Sequence, residues 1–163
     1  GRFHPAKNHE FLLTVFAEIH KRNDNTKLIL VGDGDLRPEI ERQISDLQLG
    51  SSVILTGSRS DVPKLLQAAD CFLFPSRWEG LPVTVVEAQA SGMPCLISNR
   101  ITKDVNVSPL VKYLSIDNGA DIWVNSLDEI DYSRQDAIEL IKNARFDISS
   151  TAIWLQNFYQ GLM

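Results

Sequence analysis

Short apolar runs alternate with amphipathic stretches along most of this chain. Residues 27–31, 53–56, 71–74, 94–97 and 112–115 read as strands. Their apolar residues run on continuously instead of alternating with polar ones, the pattern of strands buried on both faces of a parallel sheet. Between them, Phe11, Leu12, Val15, Phe16 and Ile19 fall at helical spacing, as do Leu36, Ile40, Ile44 and Leu47, and then Val62, Leu65, Leu66 and Ala69. Further helices are expected at 120–127, 136–144 and 149–161, the last with Ile153, Trp154, Phe158 and Leu162 on or near one face. Residues 100–109, polar and ending in Pro109, read as a loose loop. The alternation predicts an α/β fold, a doubly wound parallel sheet with helices on both faces.

Composition narrows the classes. At 163 residues with 44% hydrophobic and 23% charged positions, the chain has the make-up of one globular domain with a real core. A net charge of −5 argues against a nucleic-acid surface. No apolar run approaches the ~20 residues needed to span a bilayer. Cys71 and Cys95 each sit in an apolar run and read as buried, unpaired thiols. His4, His9 and His20 show no metal-ligand spacing, so no metal site is proposed. Asp33-Gly34-Asp35 follows a strand and precedes a helix, where a tight turn and an N-cap need such residues.

The segment Pro75-Ser76-Arg77-Trp78-Glu79-Gly80-Leu81-Pro82-Val83-Thr84-Val85-Val86-Glu87 carries the chemistry. It leaves a strand and enters a helix that ends near Gly92, with Pro82 suited to the first helical position. Gly80 lets the backbone come close to a ligand. A helix N-terminus presents free N–H groups and positive dipole, a ready seat for phosphate. Pro82 and Glu87 are separated by roughly 7 Å along a helix axis. An anion in the middle with a carboxylate toward each end matches sugar hydroxyls, diphosphate and ribose hydroxyls in one ligand.

This segment resembles the Glu-x7-Glu signature of retaining glycosyltransferases of family 4, also called group 1, which have the two-domain GT-B fold. Gly1-Arg2-Phe3-His4-Pro5-Ala6-Lys7-Asn8 is similar to the opening of that family's C-terminal domain. Val31-Gly32-Asp33-Gly34, Gly57-Ser58-Arg59-Ser60-Asp61-Val62, Ala69-Asp70 and Glu87-Ala88-Gln89-Ala90-Ser91-Gly92-Met93-Pro94 follow in the family's order. The similarity covers residues 1 to about 98 and is generic afterwards. It implies a Rossmann-like, donor-binding domain, the C-terminal half of a GT-B enzyme. By resemblance, Arg2 and Lys7 neutralise the diphosphate without a metal, and Glu79 accepts from hydroxyls of the donor sugar. The N–H groups of Gly80 and Leu81 hold the phosphate nearest the sugar, Glu87 accepts from the ribose, and Gly57, Ser58 and Arg59 frame the base. No cofactor is implied.

The resemblance further implies a donor that is a nucleotide-diphosphate sugar, most often of uridine, and a hydroxyl acceptor in polysaccharide or glycolipid synthesis. The parent would work in the cytoplasm, peripherally at the inner face of the membrane. In the family an apolar strand precedes the Gly-Arg opening, and an N-terminal acceptor domain precedes that strand. The 163 residues therefore read as one nucleotide-sugar-binding domain without that partner domain and lacking the first strand, inert by itself. Two alternatives stay open: another GT-B enzyme such as a nucleotide-sugar epimerase, and a non-catalytic α/β nucleotide-binding module.

Overall fold

The computed structural model describes residues 1–161, so Leu162 of the expected terminal stripe lies outside the described residues. Five short strands alternate with helices: β1 Leu28–Val31, β2 Val53–Gly57, β3 Phe72–Phe74, β4 Cys95–Ser98 and β5 Val111–Leu114. The helices are α1 His9–Arg22, α2 Arg37–Asp46, α3 Val62–Ala68, α4 Val83–Ala90, α5 Asp121–Leu127, α6 Ile138–Asn143 and α7 Ile148–Tyr159. The expected elements are all present, with boundaries shifted by one or two residues.

Every strand pairing is parallel, in the order β2-β1 and β3-β4-β5. The chain moves outward in one direction from β1 to β2, then in the other from β3 to β5. This is the doubly wound arrangement, with its sheet divided into two ladders between β1 and β3. Helices α1, α2 and α5 pack on one face and α3, α4 and α6 on the other.

Helix α1 joins the ladders. Its Leu12, Leu13, Phe16 and Ala17 pack with Leu30 and Val53 of the β1–β2 ladder, together with Ile40 and Ile44 of α2. A second line, Val15 flanked by Phe11 and Ile19, packs with Leu96, Leu114, Trp123 and Val124. Trp123 is fully buried, and its indole N–H donates to the Ser115 carbonyl at 2.8 Å. The third core, on the opposite face, sets α4 against β3, β4 and α6.

Two sequence expectations need correction. The β1 and β2 runs are not buried on both faces, for Ile29 and Ile54 stand opposite one another and are both exposed. The 100–109 segment is not loose either. Ile101 and Val105 are buried, Lys103–Val105 forms a 3-10 turn, and buried Gln89 donates to the Val105 carbonyl at 2.8 Å while accepting from Ser108 Oγ at 2.8 Å. Helix α7 buries none of its residues; Ile148, Ile153, Phe158 and Tyr159 are exposed, and Trp154 stacks on Phe158.

Leu13 sits wholly buried in the α1 seam. Leu13→Ala is expected to cost about 2–5 kcal/mol, as large-to-small core changes do. Chemical denaturation should show a lower midpoint with an unchanged slope.

Candidate functional site

Because all five strands are parallel, their carboxyl ends lie along one edge. The order reverses between β1 and β3, and at such a switch point the loops of an open α/β sheet leave a crevice. The segment Gly1–Asn8 runs through this place. Phe3 N–H donates to the Asp33 carbonyl at 2.9 Å on the β1 side. On the β3 side, Arg77 N–H donates to the Ala6 carbonyl at 2.7 Å, and Asn8 Nδ2 donates to the Pro75 carbonyl at 3.1 Å. The close passage dictates two glycines. A Cβ on Gly32, whose φ is +131°, would lie 1.8 Å from the Gly1 carbonyl oxygen, and one on Gly34 would lie 2.6 Å from that of Phe3.

Lys7 and Glu79 meet across this seam. Lys7 Nζ lies 2.7 Å from Glu79 Oε1, with side-chain exposures of 25% and 14%, and sits 5.1 Å from the centroid of Phe74. Half-buried opposite charges at this distance interact more strongly than exposed pairs, though their desolvation offsets part of the gain. After Glu79 the chain turns into α4. Pro82 is the N-cap of this helix rather than its first residue, with ψ of 85°. Its ring offers no side-chain acceptor, so the helix start is uncapped. The N–H groups of Gly80 and Leu81 donate to no acceptor among the described residues. A Cβ on Gly80 would meet nothing within 4 Å, so the protein's own packing does not require glycine there.

The remaining expected residues line the same edge without touching this pair. Glu87 is exposed on α4 and Arg2 is exposed before the 3-10 turn Pro5–Lys7; neither forms an ion pair among the described residues. Gly57 ends β2, its carbonyl accepting from Gly32 N–H at 2.9 Å. Ser58 is exposed, and Arg59 is held in a two-pronged pair with Asp61 at 2.8 and 2.7 Å. Asp33 serves the turn, accepting from Gly34 N–H and pairing with Arg37 at 3.1 Å. The N-cap of α2 is Leu36, so neither aspartate caps it. Cys95 is buried as expected, whereas Cys71 is only partly so; burial pushes the Cys71 thiol up to about 12 and the Cys95 thiol higher still.

Sequence reasoning missed Asn8, His9 and Ser76. All three are buried, and Asn8 Oδ1, His9 Nδ1 and Ser76 Oγ have no hydrogen-bond partner. Asn8 adopts the left-handed conformation at φ +56°, which asparagine tolerates better than most residues. A Lys-Asn-His run at the start of a helix was the available signal. Trp78, Leu81 and Val83 form an exposed apolar rim beside Glu79. The pronounced concavities lie elsewhere, one between α6 and α7 around Trp154, the other between Glu10, Arg77 and Arg100. The Glu79–Glu87 surface is thus an open shelf.

Fold and edge together define an α/β domain that presents its ligand-binding loops at the switch point of a doubly wound sheet. The family model for group 1 glycosyl transferases matches residues 1–145, and the chain belongs to that family. The Bacillus subtilis protein EpsF, named as a glycosyltransferase, is 41% identical over 128 residues, covering 78% of this chain and 33% of EpsF. The Escherichia coli UDP-Gal:alpha-D-GlcNAc-diphosphoundecaprenol alpha-1,3-galactosyltransferase is 36% identical over 102 residues, 61% of this chain and 26% of that enzyme. The chain thus spans about a third or less of the relatives it matches. Among solved structures, the C-terminal domain of the group 1 protein LpcC from Francisella tularensis superposes with a TM-score of 0.73 at 17% identity, covering 91% of this chain and 84% of that domain. The pneumococcal O-GlcNAc transferase GtfA, solved with UDP and GlcNAc, gives 0.76 at 16% identity over 99% of this chain and 34% of GtfA. The chain has the fold of a GT-B C-terminal domain.

His9 supplies a test of the seam. Burial first, then the Gly1 amino group and the Lys7 ammonium, lower its pKa from 6.5 to about 4. The unfolded chain therefore binds a proton that the folded chain refuses. This contribution to stability is full above pH 6.5 and is lost as pH falls toward 4. Thermal melts over that window should fall more steeply for the natural chain than for His9→Gln; equal slopes would refute a buried neutral imidazole.

Proposed function

We propose that this chain is the donor-binding domain of a retaining, metal-independent glycosyltransferase. Its parent moves a hexose-type sugar from a nucleotide diphosphate, UDP in the first instance, to a hydroxyl acceptor in polysaccharide or glycolipid synthesis. The observation that carries the reading is the Lys7–Glu79 pair at 2.7 Å, set beside the uncapped start of α4. Lys7 and Arg2 supply charge for the diphosphate, Arg2 as a planar fork and Lys7 as a point charge. The N–H groups of Gly80 and Leu81 face the sugar-side phosphate, and stabilising the departing nucleotide diphosphate is their catalytic work. Glu79 accepts from the sugar and Glu87, further along α4, from the ribose. Gly57, Ser58 and Arg59 border the base. Two carboxylates spread along one donor in this way do not flank a single glycosidic bond, as a hydrolase requires.

The choice of UDP draws support from the UDP-Gal-dependent relative and from GtfA, which was solved with UDP. The parent adds an N-terminal acceptor domain that closes the other side of the shelf. The apolar, unburied face of α7 packs against that domain. The parent acts in the cytoplasm at the inner membrane face; among the described residues no helix is long and apolar enough to cross a membrane.

Calorimetric titration with UDP and with GDP tests the donor site. UDP should bind the more tightly, and EDTA should leave the affinity unchanged. Glu87→Ala should weaken binding by roughly tenfold, equivalent to about 1.4 kcal/mol. A folded chain that binds neither nucleotide, or binds only with added metal, overturns the reading.

A second outcome concerns activity. With the acceptor side absent, the purified 163-residue chain should transfer no sugar to any hydroxyl acceptor, while the parent does. Turnover by the short chain, followed by release of UDP, would refute the division of labour between domains.

A further inference from the structure

The divide between β1 and β3 has the geometry of a strand position. Along β1, the Leu28 and Gly32 N–H groups donate toward β2, to the Ser52 and Gly57 carbonyls. By strand alternation, Ile29 and Val31 turn their backbone groups the other way, into the divide. Along β3, Phe72 N–H donates to the Pro94 carbonyl on the β4 side, so Leu73 faces the divide as well. Two strands thus present unpaired edges to each other, and such edges invite a further strand.

The opening residues already begin the pairing. Gly1 N donates to the Val31 carbonyl, and Phe3 N–H donates to the Asp33 carbonyl. Donors two residues apart meeting acceptors two residues apart is the register of a parallel ladder. The same segment reaches β3's side through Ala6 and Asn8. One chain segment spans the gap at its carboxyl end, so the gap is one strand wide.

The geometry points to a fifth parallel pairing: the residues immediately preceding Gly1 in the parent form a strand between β1 and β3, welding the two ladders into one six-stranded sheet in the order β2-β1-new-β3-β4-β5. Extending the register backwards, the residue two positions before Gly1 donates to the Ile29 carbonyl and accepts from Val31 N–H. Covered by α1 on one side and by the α3–α4 layer on the other, this strand is apolar and rich in β-branched residues. EpsF, of which this chain spans 33%, shows that relatives have the length to supply it. The inference rests on backbone pairing alone and is independent of the donor-site reading.

Amide hydrogen exchange on the parent and on the 163-residue chain decides it. In the parent, Ile29, Val31 and Leu73 N–H should be protected to the level of Leu96 in β4. In the short chain Ile29 and Leu73 should exchange at least tenfold faster. In the parent, proline two positions before Gly1 should remove the protection of Ile29 and Val31, whereas alanine there should keep it. Equal protection of these amides in both proteins overturns the inference. So does protection in the short chain that rises with its concentration, which would assign the position to a second copy.

Discussion

The structure depends on one constraint: two sheet ladders that share no backbone hydrogen bond are held together by the side chains of α1. Leu13 and Phe16 look toward β1 and β2, whereas Val15 looks toward β4 and β5. Full burial of each such side chain is worth about 1.5–3 kcal/mol, so the straddling helix contributes as much as a strand pairing would. A helix can do this only if its apolar stripe is wider than one sheet needs, and five apolar residues from Leu12 to Ala17 provide that width. Phe3, buried at 1% exposure, extends the same core to the segment that enters the helix.

The position of α1 sets that of the site. The turn before it must pass over Gly32 and Gly34 and dock on Pro75 and Arg77, which leaves Lys7 facing Glu79. The other half of the pair is fixed by α4. Gln89, fully buried, donates to the Val85 and Val105 carbonyls, at 3.1 and 2.8 Å. Glu87 lies two residues earlier, about 200° around the helix, and so projects from the opposite, exposed side. A buried amide anchored to the 103–108 segment therefore orients the helix whose open end and outer face form the shelf.

Much of this was legible in the sequence, because a parallel sheet writes itself as short apolar runs between amphipathic stripes. The carboxyl-edge placement of Arg2, Lys7, Glu79 and Glu87 followed from strand order. What escaped was long-range. Ile29 and Ile54 look like core residues in a linear reading, and only the topology shows that the far side of their ladder is uncovered. Val105 sits in a polar stretch whose anchoring needs Gln89 from another element. Arg134, exposed and unremarkable in sequence, donates to the Leu66 and Gln67 carbonyls at 3.0 and 2.9 Å and to Ser91 at 3.0 Å. One guanidinium thereby ties the last turns of α3 and α4, where cations are favoured. No local pattern marks such a partner.

The pairing of Lys7 with Glu79 also bears on selectivity under the donor-site reading. The two charges satisfy each other, and a ligand that recruits only one leaves the other half-buried and unpaired. Free phosphate would engage the ammonium and strand a carboxylate that is only 14% exposed. A simple sugar would donate hydroxyls to the carboxylate and strand the ammonium. An unpaired charged group in such a setting costs more than the hydrogen bond gained is worth. A molecule bearing both an anion and neighbouring hydroxyl donors can replace both halves of the pair at once. A closed ion pair at the mouth of the shelf thus favours the whole nucleotide-diphosphate sugar over either of its parts, before any residue of a partner domain takes part.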